Sequence, residues 1–175
     1  GNQGSGIVGI TDGVLLLHGG STMTLDNGAS ITNTGTGVLR YAADVTGGSQ
    51  ATLTSLGTAT YVGPNAIDWN SRPGCRIGNF SYTPTLTTGT ATITLAGNLA
   101  TAPTATVSAS GTLAVSSSEL SITAGSLNVD GTLTGGANGS IKFTPTSPGQ
   151  YGISATATAN INLNGAAAGT RFKIY

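Results

Sequence analysis

From Tyr151 to Leu163 the chain alternates apolar and small polar residues at every step. Tyr151, Ile153, Ala155, Ala157, Ala159, Ile161 and Leu163 share one parity, and Gly152, Ser154, Thr156, Thr158, Asn160 and Asn162 take the other. Successive side chains of an extended strand point to opposite faces, so a period of two held this long predicts a β-strand with one apolar and one small, polar face. The same alternation returns in shorter pieces. Ala91, Ile93 and Leu95 alternate with Thr92 and Thr94, and Ala105, Val107 and Ala109 with Thr104, Thr106 and Ser108. Leu113 and Val115, Leu120 and Ile122, Leu127 and Val129, Ile141 and Phe143, and Phe172 and Ile174 follow the same rule. Between the pieces stand turn dipeptides such as Asp12-Gly13, Gly19-Gly20, Asp130-Gly131, Asn138-Gly139 and Asn164-Gly165, with Asp26-Asn27-Gly28 among them.

Composition excludes the alternatives to a β protein. Glu119 is the only glutamate, and Lys142 and Lys173 are the only lysines, so the residues that drive soluble helices are nearly missing. Charged residues make up 7%, against roughly 25% in ordinary globular domains. Zero net charge together with a mean hydropathy of +0.15 argues against disorder, which needs high net charge and low hydropathy. The cations Arg40, Arg72, Arg76, Lys142, Arg171 and Lys173 are scattered. They form neither the basic stripe that neutralises nucleic-acid phosphates nor a polybasic membrane patch. No apolar run approaches the roughly 20 residues of a membrane helix. Cys75 is the single cysteine, so no intrachain disulfide framework exists. A chain starting at Gly1 without Met or a leader peptide is expected to be a fragment or a processed product.

Many short strands at regular spacing predict an all-β jelly-roll sandwich. A second pattern points to a β-solenoid: Gly111-Thr112-Leu113 recurs as Gly131-Thr132-Leu133, and such recurrence marks stacked coils. The sandwich is the leading expectation because the repeat does not persist along the chain. Three regions are expected: the end of a collagen-like stalk at 1–6, a neck or shaft at 7–37, and a β-sandwich head at 38–175. Tyr61 to Tyr82 stands apart. It gathers the only Trp with three further aromatics, two arginines and the cysteine, and prolines punctuate it. It reads as a long ordered loop, either a hydrophobic plug at one end of the sandwich or a contact surface. Trp69, Arg72, Arg76, Phe80 and Tyr82 are the candidate contact residues, since Trp, Tyr and Arg are common hot-spot side chains.

The tunable polar groups of an enzyme are scarce. His18 is the only histidine, so neither a His metal cluster nor a base for a nucleophile is in view, and it reads as structural or solvent-facing. Cys75 lies near Arg72 and Arg76, but a catalytic thiol would still want a base, and it too reads as structural. Glycoside cleavage needs two facing carboxylates. The candidates are Asp12, Asp26, Asp44, Asp68, Glu119 and Asp130, with Asp68 beside Trp69 the one pair that suggests a sugar site. No phosphate loop or alternating-Asp calcium loop is present. The expectation is therefore a non-enzyme with no cofactor, no metal, no nucleic-acid partner and no membrane insertion.

The run Phe143-Thr144-Pro145-Thr146-Ser147-Pro148-Gly149-Gln150-Tyr151-Gly152-Ile153-Ser154-Ala155 and the ending Gly169-Thr170-Arg171-Phe172-Lys173-Ile174-Tyr175 resemble the tumour-necrosis-factor and complement-head superfamily of trimeric jelly rolls. Gly1-Asn2-Gln3-Gly4 resembles the end of a collagen-like repeat, in which Gly holds every third place. Stalk and head together resemble the C-terminal part of the vertex spike of tectiviruses, tailless bacteriophages with an internal membrane. That resemblance implies a homotrimeric fibre on the outside of the virion. A further N-terminal domain would engage the capsid vertex (penton) protein, and the outer part would serve attachment to the host surface beside a separate receptor-binding protein. The alternatives are a bacterial surface adhesin built as a β-solenoid, and a carbohydrate-binding or depolymerase module of a phage.

Overall fold

The structure, a computed structural model, describes residues 6–41, 50–69, 74–101, 104–123, 125–136, 138–144 and 152–163, and the backbone of 172–174. Among these residues all regular structure is β-strand. In chain order the strands are β1 (Ile7–Ile10), β2 (Val14–Leu17), β3 (Thr22–Leu25), β4 (Ser30–Asn33) and β5 (Val38–Tyr41). Two longer ones follow, β6 (Ala51–Val62) and β7 (Gly74–Tyr82). Next come β8 (Leu86–Thr87), β9 (Thr92–Leu95), β10 (Leu99–Thr101), β11 (Ala105–Val107), β12 (Thr112–Ala114) and β13 (Glu119–Thr123). The last are β14 (Leu127–Val129), β15 (Thr132–Thr134), β16 (Ser140–Thr144), β17 (Ile153–Ala155), β18 (Asn160–Asn162) and β19 (Phe172–Ile174).

Every strand pairing among them is parallel. This overturns the expected jelly-roll sandwich, whose neighbouring strands would run antiparallel. The chain instead winds as a β-solenoid, climbing from β1 through β4, β6, β7, β10 and β13 to β16 in about six turns. The physical reason lies in the turns. A Gly- or Asn-bearing corner after a short strand bends the chain onto an adjoining wall without reversing it, so each strand meets its partner one coil later.

Three walls result. The first stacks β1, β4, the second half of β6, the second half of β7, β10, β13, β16 and β19. The second holds β2 on β5 and, further up, β8, β11, β14 and β17, with a parallel bridge from Arg40 to Asp68 above β5. The third stacks β3, the first half of β6, the first half of β7, β9, β12, β15 and β18. β6 and β7 each turn the corner between the third and first walls within one strand, β6 with a register shift between Thr54 and Ala59. The pairings β2–β5, β3–β6 and β4–β6 join residues before position 37 to residues after it in the same stack.

Inward residues of each coil rest on those of the next. Cys75, Ile93 and Leu113 form one such column with Leu133, and Phe80, Leu99, Leu120 and Ile141 form another. All of these are buried. A large aliphatic or aromatic side chain so placed contributes about 1.5–3 kcal/mol relative to exposure. The column Tyr61, Tyr82, Thr101, Ile122 and Phe143 contains one exception. Thr101 is buried and its hydroxyl has no hydrogen-bond partner; nothing in the structure explains its place.

Asparagines stitch the corner between the third and first walls. Asn27 Oδ1 accepts from the Thr58 N–H at 2.9 Å, and Asn79 Nδ2 donates to the Ser55 carbonyl at 2.8 Å. Asn79 Oδ1 accepts from the Asn98 N–H at 3.1 Å, and Asn98 Oδ1 from the Glu119 N–H at 2.9 Å. Each carboxamide thus serves a backbone group of a neighbouring coil that strand pairing leaves free. Asn79 adopts a left-handed backbone, φ 60°, which Asn tolerates better than most residues.

Candidate functional site

The region 61–82 is not a loop over its second half: 74–82 is strand β7. Of the candidate contact residues, Trp69, Phe80 and Tyr82 are buried, Arg76 is exposed, and Arg72 lies outside the described residues. Trp69 Nε1 donates to the Thr87 carbonyl at 2.6 Å, and its ring centroid lies 6.2 Å from that of Tyr82. Tyr82 in turn lies 5.1 Å from Tyr61, and its hydroxyl accepts the Ile67 N–H at 3.0 Å. The Tyr41 hydroxyl donates to the Arg76 carbonyl at 2.7 Å. These aromatic rings belong to the core, where Trp69 cannot act as a sugar-stacking platform.

Burial governs the chemistry of this cluster. Desolvation of the phenolate pushes Tyr61 up from 10.0 to about 12, and raises Tyr41 and Tyr82 as well. In the unfolded chain tyrosines ionise near pH 10. A folded-state value above the unfolded one gives stability that is complete below pH 10 and is lost as pH climbs through the folded values. Phenolate absorbance followed from pH 9 to 12 should therefore show late, unfolding-coupled ionisation of these three tyrosines, with stability falling from about pH 10 upward. Ionisation of all tyrosines at pH 10 without unfolding would contradict their burial.

Among the described residues the remaining candidates do not come together in one site. His18 is exposed and Cys75 buried. Asp68 pairs with Arg40 at 2.7 Å on the second wall. Asp12 accepts from the Thr36 hydroxyl at 3.1 Å. Glu119 accepts from Ser121 at 2.9 Å and from Ser140 at 3.3 Å on the first wall. Asp44 lies outside the described residues. No group of three or more His, Cys, Asp or Glu able to hold a metal occurs among the described residues. Beside Glu119 runs an open groove of about 410 Å³, lined by Asn79, Ser81, Asn98, Ala100, Ser121 and neighbours. Its carboxamide oxygens on Asn79 and Asn98 are committed to the corner bonds just described.

The third wall carries a feature that strand-by-strand reading missed. On β3, β6, β9 and β15 the outward positions are threonine pairs, Thr22 and Thr24, Thr52 and Thr54, Thr92 and Thr94, and Thr132 and Thr134; on β12 they are Thr112 and Ala114, on β7 Gly74 and Arg76, and on β18 Asn160 and Asn162. Stacking puts Thr92, Thr112 and Thr132 in one column, and Thr94, Ala114 and Thr134 in the next. None of these threonine hydroxyls has a side-chain hydrogen bond to another described residue, whereas Ser121, Ser140 and Ser154 on the other walls are bonded. The signal was present in the sequence as a recurring Thr-x-Thr, hidden by coils of unequal length.

Comparison of the chain with protein-family models, with curated proteins and with solved structures finds no match. The resemblance to tectivirus spikes is thus without a relative to support it, and much of its Phe143–Ala155 run lies outside the described residues.

Proposed function

We propose that this chain is a β-solenoid attachment module of the surface-adhesin type, a stiff scaffold that presents flat polar walls and performs no catalysis. The observation that carries this reading is the single continuous core enclosed by three parallel walls of one chain. Stacked coils build such a scaffold without any partner subunit, and extended flat faces suit adhesion better than a deep pocket does. The Ser, Thr and Asn coat gives solubility with little charge, and it leaves the outward positions free to meet a surface. Light scattering tests the reading together with an adhesion assay. The chain should scatter with a mass near 17.1 kDa, and beads carrying it should adhere to host cells or to polysaccharide-coated surfaces, with adhesion lost on unfolding. A stable species at three times that mass, with adhesion absent, would overturn this reading and return the balance to a trimeric spike.

A further inference from the structure

The third wall differs from the others in being a two-dimensional array of one chemical motif. Its outward side chains repeat a hydroxyl beside a methyl on β3 and β6 at one end and on β9, β12 and β15 further up, with Ala114 the one outward position of these strands that lacks the hydroxyl. Thr is β-branched, so few χ1 rotamers are open to it, and inward neighbours such as Ile93, Leu113 and Leu133 fix the strands beneath. Parallel pairing sets the hydroxyls about 4.8 Å apart across strands and roughly 6.6 Å apart along them. Arg76, seated between Thr52 and Thr94, is the one charged side chain on this wall among the described residues.

Three kinds of ligand can be weighed against this surface. A charged polymer would need more than one ion. A sugar chain binding by stacking would need exposed rings, and the exposed large apolar side chains among the described residues are aliphatic. Structured water needs neither. Hydroxyls without protein partners anchor waters by hydrogen bonds, while the methyl groups between them restrict the orientations of the waters they touch. The spacing across strands is close to one repeat of the oxygen positions on the exposed planes of ice, and the spacing along them falls somewhat short of the other. Waters held on it are therefore spaced along one axis much as in the solid.

We propose that the threonine wall binds ice, through an ordered layer of water held by Thr92, Thr94, Thr112, Thr132 and Thr134. Arg76 interrupts the array and separates this block from the Thr22 to Thr54 block. The proposal concerns one wall and is independent of the adhesin reading: it survives a trimeric mass and fails without affecting a monomeric one.

The test grows ice slowly in a solution of the intact chain and measures the share of protein taken into the solid. The unaltered chain should be enriched in the ice fraction and should slow recrystallisation. Thr112→Lys, whose ammonium would stand in the middle of the array, should be excluded from the ice. Ser81→Lys, on the first wall, should be taken up like the unaltered chain, and circular dichroism should show both variants folded. If Thr112→Lys fails to fold, Arg76→Thr decides, since it joins the two threonine blocks and should raise uptake. Exclusion of the unaltered chain from ice would overturn the proposal, as would uptake of folded Thr112→Lys or no gain from Arg76→Thr. Retention on crystalline polysaccharide without uptake into ice would also overturn it.

Discussion

Replacing Trp69 with alanine is expected to lower stability by about 3–5 kcal/mol, measured as a shift in the urea unfolding midpoint at unchanged slope. The indole is 1% exposed, packs on Tyr82, and donates to the Thr87 carbonyl. Alanine would leave a cavity and would leave the Thr87 carbonyl without its indole donor. Trp69→Phe separates the two effects. It keeps most of the volume and loses the hydrogen bond, which should cost about 0.5–1.5 kcal/mol. Were the indole an exposed contact, either change would leave stability within about 0.5 kcal/mol and would act on binding alone.

The second large effect is expected at a corner. A Cβ at position 78 would lie 2.1 Å from the Gly97 nitrogen and 2.4 Å from its Cα. Both atoms are backbone of the next coil, so no side-chain rotation relieves the clash. Gly78→Ala should therefore cost about 3 kcal/mol or more by forcing the two corners apart. Gly9→Ala is the matched control. There the added methyl would meet only the Thr32 hydroxyl oxygen, at 3.9 Å, and stability should stay within about 0.5 kcal/mol. Equal tolerance at both positions in thermal unfolding would mean that the coils do not approach as closely as Gly78 and Gly97 do.

Strand content was legible because inward and outward positions alternate whatever the partner. Ile93, Leu113 and Leu133 announce themselves by parity alone, and all three are buried. The partner was not legible from parity. The long alternation at 151–163 is divided between β17 and β18, which lie on different walls with a turn at 157–158 between them. A solenoid corner keeps inside residues inside, so the period of two runs through the bend and imitates one long strand. The pair Thr112 and Thr132 did carry the true topology, and the two residues stack in register. Its weight was diluted because coil length changes along the chain, with Thr132 reaching its next partner, Asn160, only after a longer excursion.

The aromatic segment misled for a different reason. In a chain with 5% aromatics, rings gathered beside arginines resemble a binding hot spot. Their inward parity within β6 and β7 instead places Tyr61, Phe80 and Tyr82 in the core, and the Trp69 N–H finds a backbone acceptor there. The threonine wall escaped notice because each Thr-x-Thr alone is an ordinary strand. Its meaning comes from stacking, which the sequence does not display.

One measurement bears most directly on the stacked architecture: cross-strand nuclear Overhauser contacts among the backbone protons of β9, β12 and β15 in the labelled chain. The solenoid predicts parallel, in-register contacts linking Thr92 to Thr112 and Thr112 to Thr132, with Leu113 between Ile93 and Leu133. Antiparallel contacts between sequential strands, such as β12 with β13, would contradict it and restore a sandwich.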